Sequence, residues 1–60
     1  RLIVTPEAFW VVDYKSSDED RAEHAEQVRR YKMILKDIYP DKAGRGFLVF
    51  IDTRRVQEVL

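Results

Sequence analysis

The chain has no cysteine, one histidine, one tryptophan, one methionine, two glycines and two prolines among its sixty residues. Without cysteine there is no disulfide framework and no thiolate cluster, and one histidine supplies no metal-binding pair. Cysteine-free composition fits a reducing compartment, so a cytoplasmic location is the expectation. No apolar run approaches the ~18 residues that a membrane helix needs, and the N-terminus lacks the basic, apolar, small-residue order of a signal peptide. No membrane partner is expected. Neither sign of charge is in excess: eleven basic residues balance eleven acidic ones. That balance argues against a domain coated in positive charge for nucleic acid, and leaves any DNA contact to local groups.

What is present is 45% hydrophobic side chains in a short chain. A domain of this size buries only ~60% of its unfolded surface, so it gains from further chain or a partner surface. The sequence opens directly on Arg1-Leu2-Ile3-Val4, an apolar β-branched run with no initiator methionine. It is expected to be a segment of a longer protein.

Residues 2–5 read as a strand, Thr5-Pro6-Glu7-Ala8 as a turn in which proline presets φ, and residues 9–15 as a second strand, a hairpin over 2–15. On that second strand Phe9, Val11, Asp13 and Lys15 share one face, and Trp10, Val12 and Tyr14 the other. Ser17 and Asp20 have capping-box spacing, which predicts a helix over about 18–39, ended by Pro40. Its acids, Asp18 to Glu26, come first and its bases, Arg29, Arg30, Lys32 and Lys36, come last, matching the helix dipole. Val28, Tyr31, Leu35 and Ile38 recur at helical spacing and predict the face that packs on a sheet. Residues 41–46 read as a flexible polar connection, and 47–51 as a strand covered on both faces. Thr53 is a candidate cap for a short C-terminal helix over 54–59. The fold class is therefore α/β: a β-hairpin, a crossover helix and a third strand parallel to the second.

The chemistry gathers in Val11-Val12-Asp13-Tyr14-Lys15, followed twelve residues after Lys15 by Gln27-Val28-Arg29-Arg30-Tyr31. The strand motif resembles the (D/E)xK half of PD-(D/E)xK nucleases. Gln27-x-x-x-Tyr31 looks like the accessory Q-x-x-x-Y motif of their RecB-like branch, and is especially similar to that of the C-terminal nuclease domains of RecB- and AddA-type helicase-nucleases. The resemblance covers roughly residues 1–51. It implies a part of the restriction-endonuclease-like αβββαβ core, with Asp13 and Lys15 catalytic and Gln27 and Tyr31 accessory. It further implies Mg²⁺, or Mn²⁺, held by Asp13, by the Tyr14 backbone carbonyl and by a first aspartate immediately upstream of Arg1. The implied activity is metal-dependent DNA hydrolysis of exonuclease type, with DNA and a helicase domain or subunit as partners, in recombination and double-strand-break repair. Sixty residues with one strand carboxylate are expected to be inactive alone.

Other residues have plainer readings. An ordinary strand end with a solvent-facing Asp13–Lys15 pair is the bland alternative, and a noncatalytic nuclease-fold module that binds DNA or a protein partner is the competing functional one. His24 reads as a helix-surface residue, and Trp10 and Tyr39 as packing residues. Tyr31 is open between structural and functional roles. Arg29, Arg30, Lys32, Lys36, Arg54 and Arg55 read as solvated cations that also suit phosphate contacts.

Overall fold

The computed structural model describes every residue except Asp18. It is a mixed α/β fold: strands β1 (Leu2–Val4) and β2 (Ala8–Lys15), helix α1 (Arg21–Ile38), and strands β3 (Ala43–Phe50) and β4 (Arg55–Val59). The strands form one sheet in the order β1-β2-β3-β4. β1 runs antiparallel to β2, β2 parallel to β3, and β3 antiparallel to β4. Among the described residues no helix is long and apolar enough to cross a membrane.

The hairpin closes on Thr5. Its backbone N–H donates to Ala8 O at 2.8 Å, and its Oγ1 accepts from Ala8 N at 3.0 Å. Proline at the next position fixes φ for the turn. Lys42 Nζ then donates to the carbonyls of Thr5 and Pro6, at 2.7 and 2.8 Å, and ties the turn to the start of β3.

Helix α1 begins at Arg21, after Asp20 in a left-handed conformation (φ 56°, ψ 35°) that makes no side-chain cap hydrogen bond. The capping box expected from Ser17 and Asp20 therefore does not form. An onset at Asp18 lies outside the described residues. The helix ends where Tyr39 leaves helical geometry, its N–H still donating to Leu35 O at 2.8 Å. Pro40 follows and disfavours helical geometry in its predecessor.

The core lies between α1 and one face of the sheet. Phe9, Val11, Leu48, Phe50 and Val59 project from the strands and meet Ala25 and Val28 of the helix, with Leu35 and Tyr39 packed at its edge. The packing stripe runs Ala25–Val28–Lys32–Leu35–Tyr39 rather than through Tyr31 and Ile38, which are 49% and 60% exposed. Lys32 fits the stripe because its aliphatic stem lies over Gly46 while its Nζ donates to Val59 O at 3.0 Å, so the charged head escapes the core. Leu48, with no exposed surface, is the central strand residue. Leu48→Ala is expected to cost about 2–5 kcal/mol, most of the ~3–9 kcal/mol that a sixty-residue domain holds. A urea midpoint left unchanged by that substitution would contradict this core.

Three further sequence expectations are corrected. Residues 43–46 belong to β3 and are not a flexible connection. Their two glycines face the helix side of the sheet, where an added Cβ at Gly44 would run into Phe9 Cζ and one at Gly46 would stand 2.5 Å from Val28 Cγ1. They are there for close approach, one of the few reasons for glycine inside a strand. Secondly, residues 55–59 form β4 instead of a short helix. Arg54 turns the chain in a left-handed conformation (φ 54°), and the segment then satisfies the open edge of β3. Alternation then places three of its side chains against partners: Gln57 accepts from Arg21 Nε at 3.3 Å, Val59 enters the core, and Glu58 binds Arg45 on the opposite face.

Thirdly, β3 is covered on one face only. On the other, Phe47 and Val49 are half-buried, and Ile3, Trp10, Tyr14 and Val56 are exposed. Trp10 and Phe47 pack there with ring centroids 5.1 Å apart. Arg45 lies over both rings, at 5.6 and 5.1 Å, and is held by two hydrogen bonds to Glu58 at 2.9 and 2.7 Å. Those bonds, with lesser help from the charges of Arg45 and Lys32 and against some desolvation, hold the Glu58 carboxyl below its usual range. A carboxyl depressed in the folded state contributes stability above its unfolded pKa and loses it as pH falls through the folded value. The difference in urea midpoint between the native protein and Glu58→Gln is thus expected to be constant from about pH 6 to 8 and to vanish on acidification through the carboxylate range. A difference that widened in acid would contradict the pairing.

Candidate active site

Asp13 and Lys15 lie two residues apart on β2, so the strand's period of two turns both toward the side covered by α1. The helix side chains that flank Lys15 are polar, Glu23, His24, Glu26, Gln27 and Arg30, while Ala25 and Val28 pack over β3. Both side chains consequently stay partly accessible, at 30% and 27%, and Lys15 Nζ stands 3.2 Å from Asp13 Oδ2. Tyr14 projects from the opposite face and is exposed.

Backbone geometry at the same point is informative. Val12 N donates to Arg1 O at 2.8 Å, and Arg1 N donates to Val12 O at 2.6 Å. Backbone groups along a strand alternate between its two edges, so the N–H and C=O of Tyr14 point the same way as those of Val12. Lys15 O, one residue on, instead accepts from Ile51 N at 2.9 Å on the β3 side. The Tyr14 carbonyl thus leaves β2 on its β1 side, past Arg1.

The Lys15 side chain opens into a cleft of about 490 Å³ between β2 and α1, lined also by Glu23, His24, Glu26, Gln27 and Arg30. Gln27, a helix-surface amide, therefore shares a cleft with Lys15. Tyr31 does not line it; it borders a neighbouring groove of about 290 Å³ with Arg1, Leu2, Val11, Ile34 and Leu35. Gln27 and Tyr31 sit on the same flank of the helix, one turn apart, and that rise carries Tyr31 past the end of the cleft toward β1. His24 is half-buried and joins the lining, a placement that helix-surface reasoning missed; its one-turn spacing before Gln27 was the available signal.

As a cation site the arrangement offers two oxygen-bearing groups, the Asp13 carboxylate and the Tyr14 carbonyl, at a strand end that solvent reaches. Among the described residues no three His, Cys, Asp or Glu side chains converge. Magnesium suits such a sparse oxygen set, because it keeps several waters and binds through one or two carboxylates and substrate phosphates. Zinc, which favours nitrogen and sulfur, does not.

The four cations of the second half of α1 separate by side. Arg30 lines the Lys15 cleft, whereas Arg29, Lys32 and Lys36 line a groove of about 450 Å³ with Phe9, Met33, Gly44 and Leu60. Lys36 donates to Lys42 O at 2.6 Å and Arg29 to Glu26 at 3.3 Å, so these cations are held by protein groups rather than simply solvated. Comparison of the chain with protein-family models, curated proteins and solved structures found no match.

Proposed function

We propose that this chain is the (D/E)xK half of a metal-dependent DNA nuclease core of the PD-(D/E)xK, RecB-like type. The observation that carries the reading is the Asp13–Lys15 pair, on one face at the solvent-reached end of β2 and 3.2 Å apart. The order β1-β2-α1-β3, with β2 and β3 parallel, supports it as the ββαβ portion of an αβββαβ core. The register supports it further. Leu2 pairs with Val11, and Arg1 exchanges hydrogen bonds with Val12. An aspartate immediately before Arg1 would therefore stand opposite Asp13 and on its face, with Cβ atoms ~4.5–5.5 Å apart.

In this reading Asp13, with such an upstream aspartate and the Tyr14 carbonyl, would hold Mg²⁺ or Mn²⁺, which when bound would supply Lewis-acid neutralisation of the phosphate and acidify a water for attack. Lys15 presents its ammonium beside Asp13, where it offsets the negative charge that grows on the phosphate during attack. Gln27 offers an amide donor and acceptor in the cleft and helps to position substrate or water. Tyr31 borders the adjoining groove with Arg1 and Leu2, outside the Lys15 cleft. Exonucleolytic action, coupling to a helicase, and a place in recombination and double-strand-break repair follow from the family resemblance alone.

The test is Mg²⁺- or Mn²⁺-dependent cleavage of linear DNA by the full-length protein beside folded Asp13→Ala and Lys15→Ala variants. Cleavage that both substitutions abolish supports the nuclease and its two residues. A folded protein that binds DNA without cutting it would instead make this a noncatalytic platform.

A further inference from the structure

Helix α1 carries Arg29, Arg30, Lys32 and Lys36 on its second half, and sequence alone gives all four the same standing toward phosphate. Their surroundings differ. Lys32 and Lys36 spend an ammonium hydrogen each on a backbone carbonyl, Val59 O and Lys42 O, and open with Arg29 onto the groove away from Lys15. Arg29 also takes the near carboxylate oxygen of Glu26, at 3.3 Å. Arg30 lies on the cleft side, its side chain 75% exposed and its Nε in a long ion pair of 4.0 Å with Glu26 Oε1. Glu26 thus stands between the two arginines, nearer to Arg29, and Arg30 is the cation of this half of the helix that lines the cleft beside Lys15.

We infer that Arg30 holds a backbone phosphate of the nucleic-acid strand as it passes the Asp13–Lys15 pair. The inference rests on the nuclease reading and adds a binding residue to it. Two carboxylates share the cleft wall: Glu26, one turn before Arg30 and also paired with Arg29, and Glu23, seven residues before it, ~10 Å along the helix axis at 1.5 Å per residue. An anionic strand therefore crosses the cleft at its Arg30 end and is kept from its Glu23 end. A guanidinium suits this contact, since its fork matches two phosphate oxygens.

The experiment is equilibrium binding of a labelled single-stranded oligonucleotide to the full-length protein in an Asp13→Ala background, which prevents cleavage. Arg30→Ala, Arg30→Lys and Lys36→Ala are compared over a salt series. One lost phosphate contact lowers the slope of log K against log salt by ~0.7 on a single strand. The deficit of Arg30→Ala is thus expected to shrink about threefold between ~50 and 200 mM salt. Arg30→Lys should recover the slope, because the charge returns, and Lys36→Ala, on the far groove, should leave it unchanged. An Arg30→Ala slope equal to that of the parent, or an equal loss in Lys36→Ala, overturns the inference. If metal-dependent cleavage by the unaltered protein is intact at the same time, the nuclease reading survives that result. Absence of any DNA binding sinks both.

Discussion

Asp13→Ala in the full-length protein is expected to lower Mg²⁺-dependent cleavage of linear DNA by about 10³-fold or more, with the fold retained. In the proposed nuclease, removing the carboxylate would remove a cation ligand, and the charge stabilisation at stake is several kcal/mol at ~1.36 kcal/mol per decade of rate. The fold should survive because Asp13 is partly exposed and its contact is a strand-surface ion pair with Lys15. Such pairs contribute only ~0–1 kcal/mol. Lys15→Ala should cost about 10²–10³-fold, the usual loss for one group that stabilises charge in the transition state. Lys15 carries a point charge rather than a ligand, so its loss should fall mainly on kcat while cation binding persists; Asp13→Ala should weaken Mn²⁺ binding directly. Full cleavage by a folded Asp13→Ala protein would remove the site from consideration.

Gly46→Val is expected to destabilise the protein by about 1–3 kcal/mol, the usual cost of forcing extra carbon into a packed core. Strand propensity alone predicts the opposite sign, because valine is favoured in strands and glycine is not. The difference is tertiary. A Cβ at position 46 would stand 2.5 Å from Val28 Cγ1, and Val28 has no exposed surface into which to retreat. The second neighbour, Lys32 Cδ at 2.8 Å, belongs to a side chain anchored on Val59 O. Ala43, exposed on the same strand, serves as the comparison: Ala43→Val meets no such obstacle and should be neutral or slightly stabilising. Urea midpoints of the two variants measure the contrast. A Gly46→Val midpoint at or above that of the native protein would show that α1 does not lie against β3 as described.

Much of the architecture is legible without coordinates, where local signals are strong. Thr5-Pro6 marks the hairpin turn, the alternation of Phe9, Val11, Asp13 and Lys15 identifies the shared face, and Pro40 ends the helix. The legible part of the site is likewise local: Asp13 and Lys15 are two residues apart on one strand, so their proximity follows from strand period alone. Gln27 is one step harder. Its meeting with Lys15 in a cleft depends on how the crossover helix returns over the sheet, and the same return carries Tyr31 into a different groove.

The readings that failed depend on neighbours distant in sequence. Gly44 and Gly46 have the composition of a loop, yet they lie in a strand because Phe9 and Val28 need the space a side chain would take. Lys32 resembles the other helix cations, yet the apolar stripe includes it because Gly46 admits its stem and Val59 O receives its charge. Residues 55–59 have no decisive local preference, and the unpaired edge of β3 makes them a strand. What the sequence by itself determined was the set of elements before residue 40, the α/β class and the Asp13–Lys15 face, all governed by turn chemistry and periodicity within a few residues. The tertiary structure alone decided the fourth strand, the helix register, the sidedness of Arg29 and Arg30, and the open second face of the sheet. Those depend on close approach and edge hydrogen bonding between segments far apart in the chain, and no local pattern encodes either.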